Sequence, residues 1–404
     1  MAKSVWYISK YFAPETEDSP GGRGWLLMEE LAKQGYRPTV FTSDSNQLIE
    51  PPKLDGRTYT YQYKGVQLIW LKTLKYLNAK SIRRVMSWVH FEWNILRLDK
   101  SKLTPPNTVI ASSLSLLSIF NGLILKNRYG CKLVFEVRDI WPLTLTEEGG
   151  FSKKNPFVRA LAWVEKLAYR KSDAIIGTMP NLKEHVDSVI DTNTTVYCIP
   201  MGVPPVSNRI QESLDESFKS QYFSQETFKV VHAGTVGITN ALDTLFEAAE
   251  KLKLDSRFEF FIVGDGPLKK NYQAQFAHLT NVTFVPKVKK TQVQAVLNFC
   301  DVVYFSVFPS KVWNYGQSLN KVVDYMLSGK PIVASYSGYP SMIDEAGCGS
   351  FVAANNVGAL VQILQRYEKM SVAQRSAIGE RGKVWIEENR SYPKLASELA
   401  KIIE

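Results

Sequence analysis

The segment SLNKVVDYMLSGKPIVAS, residues 318–335, carries side chains that could bind a nucleoside diphosphate. Ser318, Asn320, Lys321 and Asp324 open a predicted helix, and Lys321 and Asp324 share one helix face because they are three residues apart. A cation and amide donors at a helix N-terminus suit a diphosphate, and a carboxylate one turn later suits ribose hydroxyls. The structural alternative is an ordinary helix start with a surface ion pair.

Two glycine-containing turns could contribute anion-binding backbone amides. Gly234 and Gly237 end a predicted strand in VHAGTVGITN, where the amides near Thr235 can hold a phosphate. Gly22 and Arg23 lie between the first predicted strand and the first helix, where glycine lets a ligand approach the backbone closely. Both turns are therefore candidate donor contacts, with a plain tight turn as the alternative in each place.

Several other chemistries find no support in the sequence. No G-x-G-x-x-G follows a strand, and there is no Walker lysine loop, no G-x-S-x-G and no Asp-x-Asp pair. The four histidines are dispersed without metal-ligand spacing, and the four scattered cysteines indicate no disulfide framework. We therefore expect no metal ion and no cofactor.

Short apolar runs alternate with helical segments in both halves, as expected for parallel sheets covered on both faces. In the first half, a strand with its following loop is predicted at 4–12, strands at 38–43, 108–113, 132–137 and 173–178, and helices at 24–36 and 157–172. In the second half, strands are predicted at 228–234, 281–287, 301–307 and 331–335, a strand with its following turn at 258–266, and helices at 243–253, 293–300, 318–329 and 390–404. The fold class is therefore α/β, with two Rossmann-like doubly wound domains facing a cleft.

The domain boundary is predicted near CIPMGVPP, residues 198–205, which contains three prolines and a glycine. A chain of 404 residues suits two domains rather than one core. We predict a first domain over 1–198, a linker over 199–227, a second domain over 228–385 and a C-terminal helix over 386–404.

Excess positive charge is concentrated in the first half. The net charge is +10, and residues 1–190 hold 27 of the 49 basic but only 18 of the 39 acidic residues. No acidic residue lies between Asp55 and Glu92, where Trp and Leu interleave with Lys and Arg. This pattern favours docking on an anionic membrane surface, with a core helix and a solvated basic face as the alternative. The candidate contacts are Lys72, Lys75, Lys80, Arg83, Arg84 and Trp88. No nucleic-acid-binding motif is present.

Taken together, these segments resemble a GT-B glycosyltransferase of family four, the retaining, nucleotide-sugar-dependent group. AGT-G at 233–237, VGDGP at 263–267 and SGYPSMIDEAGCG at 337–349 occur in the family's order. RD-WP at 138–142 and S-NK--DYM at 318–326 are similar to bacterial O-antigen and capsule transferases of the WbuB type, which are N-acetyl-fucosamine transferases. The GT-B resemblance also implies that the C-terminal helix packs back on the first domain.

The resemblance implies a UDP-sugar in the second domain. Lys321 and Asn320, with the amides from Thr235 to Gly237, would hold the diphosphate, while Asp324 would bind the ribose and the backbone at Val288 would cradle the base. The first acidic residue of the family's Glu–seven residues–Glu motif is missing here. The Arg and Lys that usually follow the strand before TVGITN are also missing.

Arg138 and Asp139 stand where many family members have a histidine. The resemblance therefore gives Asp139 the role of orienting the acceptor or accepting its proton, and Arg138 that of its ion partner or of a phosphate contact. With Lys321, these residues form the predicted catalytic set. A buried structural Arg–Asp pair is the alternative.

The resemblance implies metal-independent, retaining transfer of a sugar, with an N-acetylated deoxyhexosamine as a candidate, from its UDP form. The implied acceptor is a saccharide on undecaprenyl diphosphate, used for O-antigen or capsule in lipopolysaccharide synthesis. The expected location is cytoplasmic, peripheral on the inner face of the bacterial inner membrane. The alternatives are a UDP-sugar 2-epimerase-like enzyme on the same fold and a non-catalytic membrane assembly subunit.

Overall fold

A computed structural model describes residues 2–17, 19–77, 81–191 and 193–404. The chain divides into two compact units. The first unit consists of Met1–Pro200 together with Tyr392–Glu404, and the second unit consists of Met201–Ser391.

The first unit is built on an eight-stranded sheet with the order β3-β4-β2-β1-β5-β6-β7-β8. Its strands are β1 (Ser4–Ile8), β2 (Arg37–Ser43), β3 (Thr58–Tyr63), β4 (Val66–Leu71), β5 (Thr108–Ser112), β6 (Lys132–Val137), β7 (Ala174–Gly177) and β8 (Val196–Cys198). All neighbours pair in parallel except β3, which pairs antiparallel with β4 at the edge. The apolar runs of β1 and β5 are buried along their whole length because helices cover both faces of a parallel sheet.

Six helices of the first unit connect these strands within the described residues. They are α1 (Arg23–Lys33), α2 (Ile82–Arg97), α3 (Ser118–Tyr129), α4 (Leu143–Glu147), α5 (Pro156–Lys171) and α6 (Leu182–Val189). The β3–β4 hairpin was not predicted, and it occupies part of the basic stretch between residues 55 and 92. β3 is largely exposed and lacks the continuous apolar run by which the buried strands were recognised.

The second unit is built on a six-stranded parallel sheet with the order β11-β10-β9-β12-β13-β14. Its strands are β9 (Phe228–Ala233), β10 (Phe258–Val263), β11 (Val282–Val285), β12 (Val302–Ser306), β13 (Ile332–Ser335) and β14 (Gly349–Val352). Its α-helices are α7 (Glu216–Tyr222), α8 (Asp243–Lys251), α9 (Lys269–Gln275), α10 (Val293–Leu297), α11 (Asn320–Leu327), α12 (Met342–Ala346), α13 (Val357–Lys369) and α14 (Val372–Asn389). Short 3-10 helices span Val206–Asn208, Ile238–Asn240, Lys290–Gln292 and Lys311–Tyr315. The strand order is that of dinucleotide-binding folds and reverses between β9 and β12.

The terminal helix α15 (Tyr392–Ile403) belongs to the first unit, where it packs against α1. Leu395 and Leu399 share a buried cluster with Trp25 of α1, and the Thr108 hydroxyl donates to the carbonyl of Ile403 at 2.9 Å. Burial of the apolar face of α15 therefore joins the end of the chain to its beginning.

Two boundaries differ from the predicted ones. The second unit begins at Met201, and Leu214 and Phe223 are buried in its core, so the stretch predicted as a linker over 199–227 contributes to packing. The helix predicted over 386–404 is divided, because α14 runs to Asn389 within the second unit and α15 begins at Tyr392. Within the described residues, no helix has the length and apolarity needed to cross a bilayer.

Candidate functional site

The strand order reverses between β9 and β12. Open α/β sheets bind ligands at the carboxyl ends of the strands beside such a reversal. After β9 the backbone turns at Gly234, whose N–H donates to the carbonyl of Val263 at 2.9 Å. A Cβ on Gly264 would lie 2.0 Å from the carbonyl oxygen of Gly234, so residue 264 must be glycine. The turns after β9 and β10 therefore pack backbone against backbone at the carboxyl edge of the sheet.

Lys321 lies at this edge. Its Nζ donates to Oδ1 of Asn240, and its Cε lies 3.9 Å from the point where a Cβ on Gly234 would stand. Among the residues that the structure describes, no carboxylate pairs with Lys321, and burial lowers the pKa of its ammonium to about 8. An ammonium without an anionic partner beside a glycine turn can bind a phosphate group.

Asn240 and His232 complete this edge, and sequence analysis assigned neither to the site. Asn240 is buried, and its carbonyl accepts from the Ser306 hydroxyl at 2.6 Å, which fixes the residue that holds Lys321. His232 is fully buried, and its Nδ1 lies 3.3 Å from the carbonyl oxygen of Tyr304. Burial and the nearby Lys321 lower the pKa of His232 to about 3, so the imidazole is neutral. The signal that could have located His232 is a histidine two residues before the glycine at a strand end.

The other predicted phosphate-binding residues lie nearby in the chain but differ in their surroundings. Asn320 begins α11 and is exposed, as is Thr235, whereas Gly237 is buried at the start of the 3-10 helix Ile238–Asn240. The hydroxyl of Ser318 accepts from the N–H of Met201 at 2.8 Å, which fixes the chain just before α11.

Asp324 lies one turn after Lys321 on α11 and pairs with Lys290. Burial raises the pKa of the Asp324 carboxyl, and the hydrogen bond from Lys290 opposes that effect. Val288 is partly buried and packs against the core cluster that contains Val322 and Val323. The structure thus places the predicted ribose and base contacts in the second unit with Lys321, and it adds Lys290, which sequence analysis did not select.

Arg23 was predicted to contact the donor, but the structure assigns it to the core of the first unit. It is 2% exposed, pairs with Glu136 and donates to the carbonyls of Ile199 and Pro200. Gly22 is the N-cap of α1, and its N–H donates to the carbonyl of Ala13 at 2.8 Å. These donors are already used within the protein, so neither residue is placed to bind a ligand.

Arg138 and Asp139 follow β6 at the carboxyl edge of the first sheet. The N–H of Arg138 donates to the Ser113 hydroxyl at 2.9 Å, and Asp139 is exposed. Surrounding protein atoms remove water from the Asp139 carboxyl and so raise its pKa. The positive charges of Arg138 and Arg84 lower it in part. Within the described residues Arg138 and Asp139 do not form a direct ion pair, so the alternative of a buried structural Arg–Asp pair is not observed.

The basic segment of the first unit combines buried and exposed side chains. Trp88 was predicted to contact the membrane, but it is 3% exposed and its Nε1 donates to the Tyr11 hydroxyl at 3.0 Å. The Arg84 guanidinium lies 5.3 Å from the Trp88 ring, and Lys75 pairs with Asp44 at 2.9 Å. Lys72 and Arg83 are exposed, and Lys80 lies outside the described residues.

The exposed apolar side chains of α2 form a stripe that does not include Trp88. Its members are Ile82, Met86, Val89, Trp93 and Leu96. They recur three or four residues apart, which places them on one face of the helix. Arg97 lies over the Trp93 ring at 5.2 Å, so a cation borders the stripe. A large exposed apolar patch of this kind marks an interaction surface.

Family models match both units. A glycosyl transferase 4-like domain matches residues 25–195, and the glycosyl transferases group 1 model matches residues 227–368. No curated relative matches the chain at the sequence level.

The chain has the same fold as several solved structures, three of which are described by function or ligand. A sucrose-phosphate synthase from Thermosynechococcus elongatus has a TM-score of 0.72 at 15% identity, with 99% of this chain and 98% of that chain covered. HepE from Anabaena, in complex with UDP-glucose, has a TM-score of 0.65 at 14% identity with 99% of each chain covered. WaaG, a glycosyltransferase involved in lipopolysaccharide biosynthesis, has a TM-score of 0.64 at 15% identity with 99% of each chain covered. The predicted GT-B fold is confirmed, and the chain carries the two domains of a GT-B glycosyltransferase.

Proposed function

We propose that this GT-B glycosyltransferase moves a sugar from a UDP-sugar to a saccharide on a lipid diphosphate, with retention at the anomeric carbon. The observation that carries the proposal is the position of Lys321 beside Gly234, with Asp324 one helical turn further along α11. The complex of HepE with UDP-glucose supports a UDP-sugar as the donor. An N-acetylated deoxyhexosamine is the sugar proposed from the WbuB-type signatures.

The reaction breaks the bond between the anomeric carbon and the diphosphate and forms one to an acceptor hydroxyl oxygen. The acceptor proton passes to an oxygen of the departing UDP, which keeps the incoming hydroxyl on the leaving-group face. Lys321 and the amides near Thr235 would stabilise the charge that develops on the diphosphate. In this proposal fixed positive charge takes the role that a metal ion plays elsewhere. Asp139 would accept a hydrogen bond from the acceptor hydroxyl and so orient it, while the proton passes to UDP.

The test is transfer by Lys321→Ala, with Lys330→Ala as the matched control. The Lys330 ammonium donates to the carbonyl of Asn298 and has no part in the proposal. We expect Lys321→Ala to lower the transfer rate at least about 100-fold while the melting temperature changes little. A Lys321→Ala variant with wild-type transfer would refute the proposal, and sugar conversion without acceptor would indicate an epimerase.

The lipid-linked acceptor is proposed to reach the protein at an anionic membrane surface. The exposed stripe on α2 supplies apolar area, and Lys72, Arg83 and Arg97 supply positive charge at or near it. An amphipathic helix with this arrangement binds anionic bilayers by burying its apolar face and attracting lipid headgroups. The lipopolysaccharide role of WaaG supports this setting. In the proposed setting the protein is peripheral on the cytoplasmic face of a bacterial inner membrane and serves O-antigen or capsule synthesis.

Co-sedimentation with phosphatidylglycerol vesicles tests the membrane surface. Trp93 is 52% exposed in the stripe, and we expect Trp93→Glu to weaken binding at least about 10-fold because it removes apolar area and adds repulsion. Val372→Glu in the second unit is the control, since Val372 is also exposed and apolar. Equal binding of wild type and Trp93→Glu would contradict the assignment of this surface.

A further inference from the structure

Helices α2, α3 and α5 form one layer on a face of the first sheet. The connections β4–α2–β5, β5–α3–β6 and β6–α5–β7 cross the sheet in one direction, and β1–α1–β2 crosses it in the other. Because parallel crossovers are right-handed, the first three helices lie on one face of the sheet and α1 lies on the opposite face. Contacts within the layer agree with this, since α2 packs on α3 and α3 packs on α5.

The outer surface of this layer is positively charged. The three helices, which lie entirely within the described part of the chain, contain nine basic and two acidic residues. Glu92 is buried, and the Ser118 hydroxyl and the Asn121 amide each donate to its carboxylate at 2.7 Å. Glu165 is also buried, and the Tyr169 hydroxyl donates to it at 3.1 Å. The helices therefore present cations to the solvent and keep both of their carboxylates inside.

The exposed face of α5 combines a tryptophan with three cations. Arg159, Trp163, Lys166 and Arg170 recur three or four residues apart, so they share one helix face, and all four are exposed. Trp163 is 61% exposed. An indole suits the boundary between lipid tails and headgroups, and the cations one turn to either side can contact headgroup phosphates. Sequence analysis did not select this helix for such a role, because the burial of Glu165 is not visible in the sequence.

Apolar side chains connect α5 with α2 across α3. The Trp163 ring lies 6.3 Å from the Phe120 ring of α3, and Ile124, one turn further along α3, is 43% exposed. The amide of Asn121 on α3 donates to the backbone carbonyl of Glu92 at 2.9 Å, which holds α3 against α2. The region around Trp163 and the exposed stripe on α2 thus belong to one helical layer, and its exposed apolar area marks an interaction surface.

We propose that α5 is a second anionic-lipid contact of the first unit, in which Trp163 inserts among the headgroups while Arg159, Lys166 and Arg170 bind their phosphates. This inference rests on the proposed membrane setting and adds a contact separate from the stripe on α2. Positive charge beside an exposed aromatic ring fits a bilayer rich in anionic lipid. Two contacts on one layer strengthen binding because the second forms at high effective concentration, and they fix the orientation of the unit on the bilayer.

Co-sedimentation with phosphatidylglycerol vesicles tests the proposal by comparing Lys166→Glu with Lys401→Glu. Both variants change an exposed helical lysine of the first unit, so they alter the net charge equally, but Lys401 lies on α15, which packs against α1. We expect Lys166→Glu to weaken binding at least about 10-fold, because it replaces attraction by repulsion at the headgroups. Lys401→Glu should weaken binding by less than about twofold. Trp163→Glu should also weaken it at least about 10-fold, because it removes apolar area and adds a negative charge.

Fluorescence quenching by vesicles of phosphatidylglycerol with brominated acyl chains measures insertion directly. Trp163→Phe keeps an aromatic ring but removes one indole, so the quenching that this variant loses relative to the wild type belongs to Trp163. We expect Trp163→Phe to bind the vesicles within about threefold of the wild type and to lose part of the quenching. Unchanged quenching would place Trp163 outside the bilayer and overturn the proposal.

The remaining outcomes separate this inference from the proposed function. If Lys166→Glu and Trp163→Glu bind like the wild type while Trp93→Glu does not, the second contact is wrong and the surface on α2 stands. If Trp163→Glu instead converts a dimer into a monomer in sedimentation velocity, this face pairs with a second copy of the chain, and the lipid assignment is wrong. A wild type that transfers sugar but binds no vesicles contradicts both membrane contacts, while the proposed transfer stands.

Discussion

Arg23 in the first unit and Lys321 in the second occupy similar positions in the sequence. Each lies in the first turn of a helix, and each was a candidate for binding an anion. Arg23 is fully buried with its guanidinium bonded to Glu136 and to two carbonyls, whereas Lys321 bonds one amide oxygen and remains half-buried. A buried cation bonded to a carboxylate and to two carbonyls stabilises the fold, and one without a carboxylate partner can still bind a ligand.

Glu136, the carboxylate partner of Arg23, also distinguishes the two cations. Burial alone would raise the pKa of its carboxyl, but Arg23, Arg138 and the hydrogen bond from the Tyr7 hydroxyl lower it to about 2. The pair therefore stabilises the first unit above the ordinary glutamate pKa, and this contribution is lost as the pH falls towards 2. Lys321 has no such counterion in the described part of the chain.

The largest expected effect is on stability. Arg23→Ala leaves the buried Glu136 carboxylate without its partner and should lower the free energy of unfolding of the first unit by about 3–5 kcal/mol. Urea unfolding followed by tryptophan fluorescence reports on this unit, because Trp313 and Trp385 are the only tryptophans of the second unit. Lys321→Ala is the control and should change that free energy by less than about 1 kcal/mol. If Arg23→Ala leaves stability intact and abolishes UDP binding instead, the contrast between the two cations is wrong.

The second-largest expected effect tests whether the first unit acts on the acceptor while the second unit binds the donor. Asp139→Asn keeps the shape of the side chain but removes the negative charge that would orient the acceptor hydroxyl, so we expect transfer to fall at least about 100-fold. UDP affinity, measured by titration, should stay within about twofold of wild type, because Asp139 lies in the first unit and the proposed UDP contacts lie in the second. A parallel loss of UDP affinity would show that the units do not divide donor and acceptor in this way.

The smallest expected effect is a pH dependence of UDP binding. The pKa of Lys321 is lowered to about 8, so its positive charge is present below that pH and is lost as the pH rises above it. UDP affinity should therefore fall roughly 10-fold between pH 7 and pH 10, the contribution of one charge-assisted contact. Lys321→Arg should keep its affinity across this range, because a guanidinium stays charged. A wild-type affinity that does not change over the same range would remove Lys321 from the diphosphate site.

The strands of the second unit were predicted more completely than those of the first, although β14 and the helices α13 and α14 were missed. The runs FKVVHAG, FEFFIVG and DVVYFSV gave buried parallel strands at β9, β10 and β12 because they are continuously apolar. In the first unit the β3–β4 hairpin was missed, since its exposed edge strand alternates tyrosine with polar residues. The apolar stripe on α2 lay at the predicted helical spacing, but its separation from Trp88 depends on which helix face packs inward.

The candidate site was predictable where residues are close in the chain. Lys321 and Asp324 share a helix face by their spacing alone. Lys290 and Asn240 could not be found in this way, because each meets its partner from a different loop of the sheet edge. The neutral state of His232 likewise follows from burial, which no local pattern reveals.

The sequence by itself determined two doubly wound α/β units, the helix that carries Lys321 and Asp324, and the surplus of positive charge in the first half. The tertiary structure decided which charged side chains are paired within the protein and which remain available to a ligand. Periodicity and spacing act between neighbours in the chain, whereas the surroundings of a charge depend on segments brought together from far away. Arg23 meets Glu136 across 113 positions and becomes structural, while Lys321 meets Asn240 across 81 positions and keeps its positive charge available for a ligand.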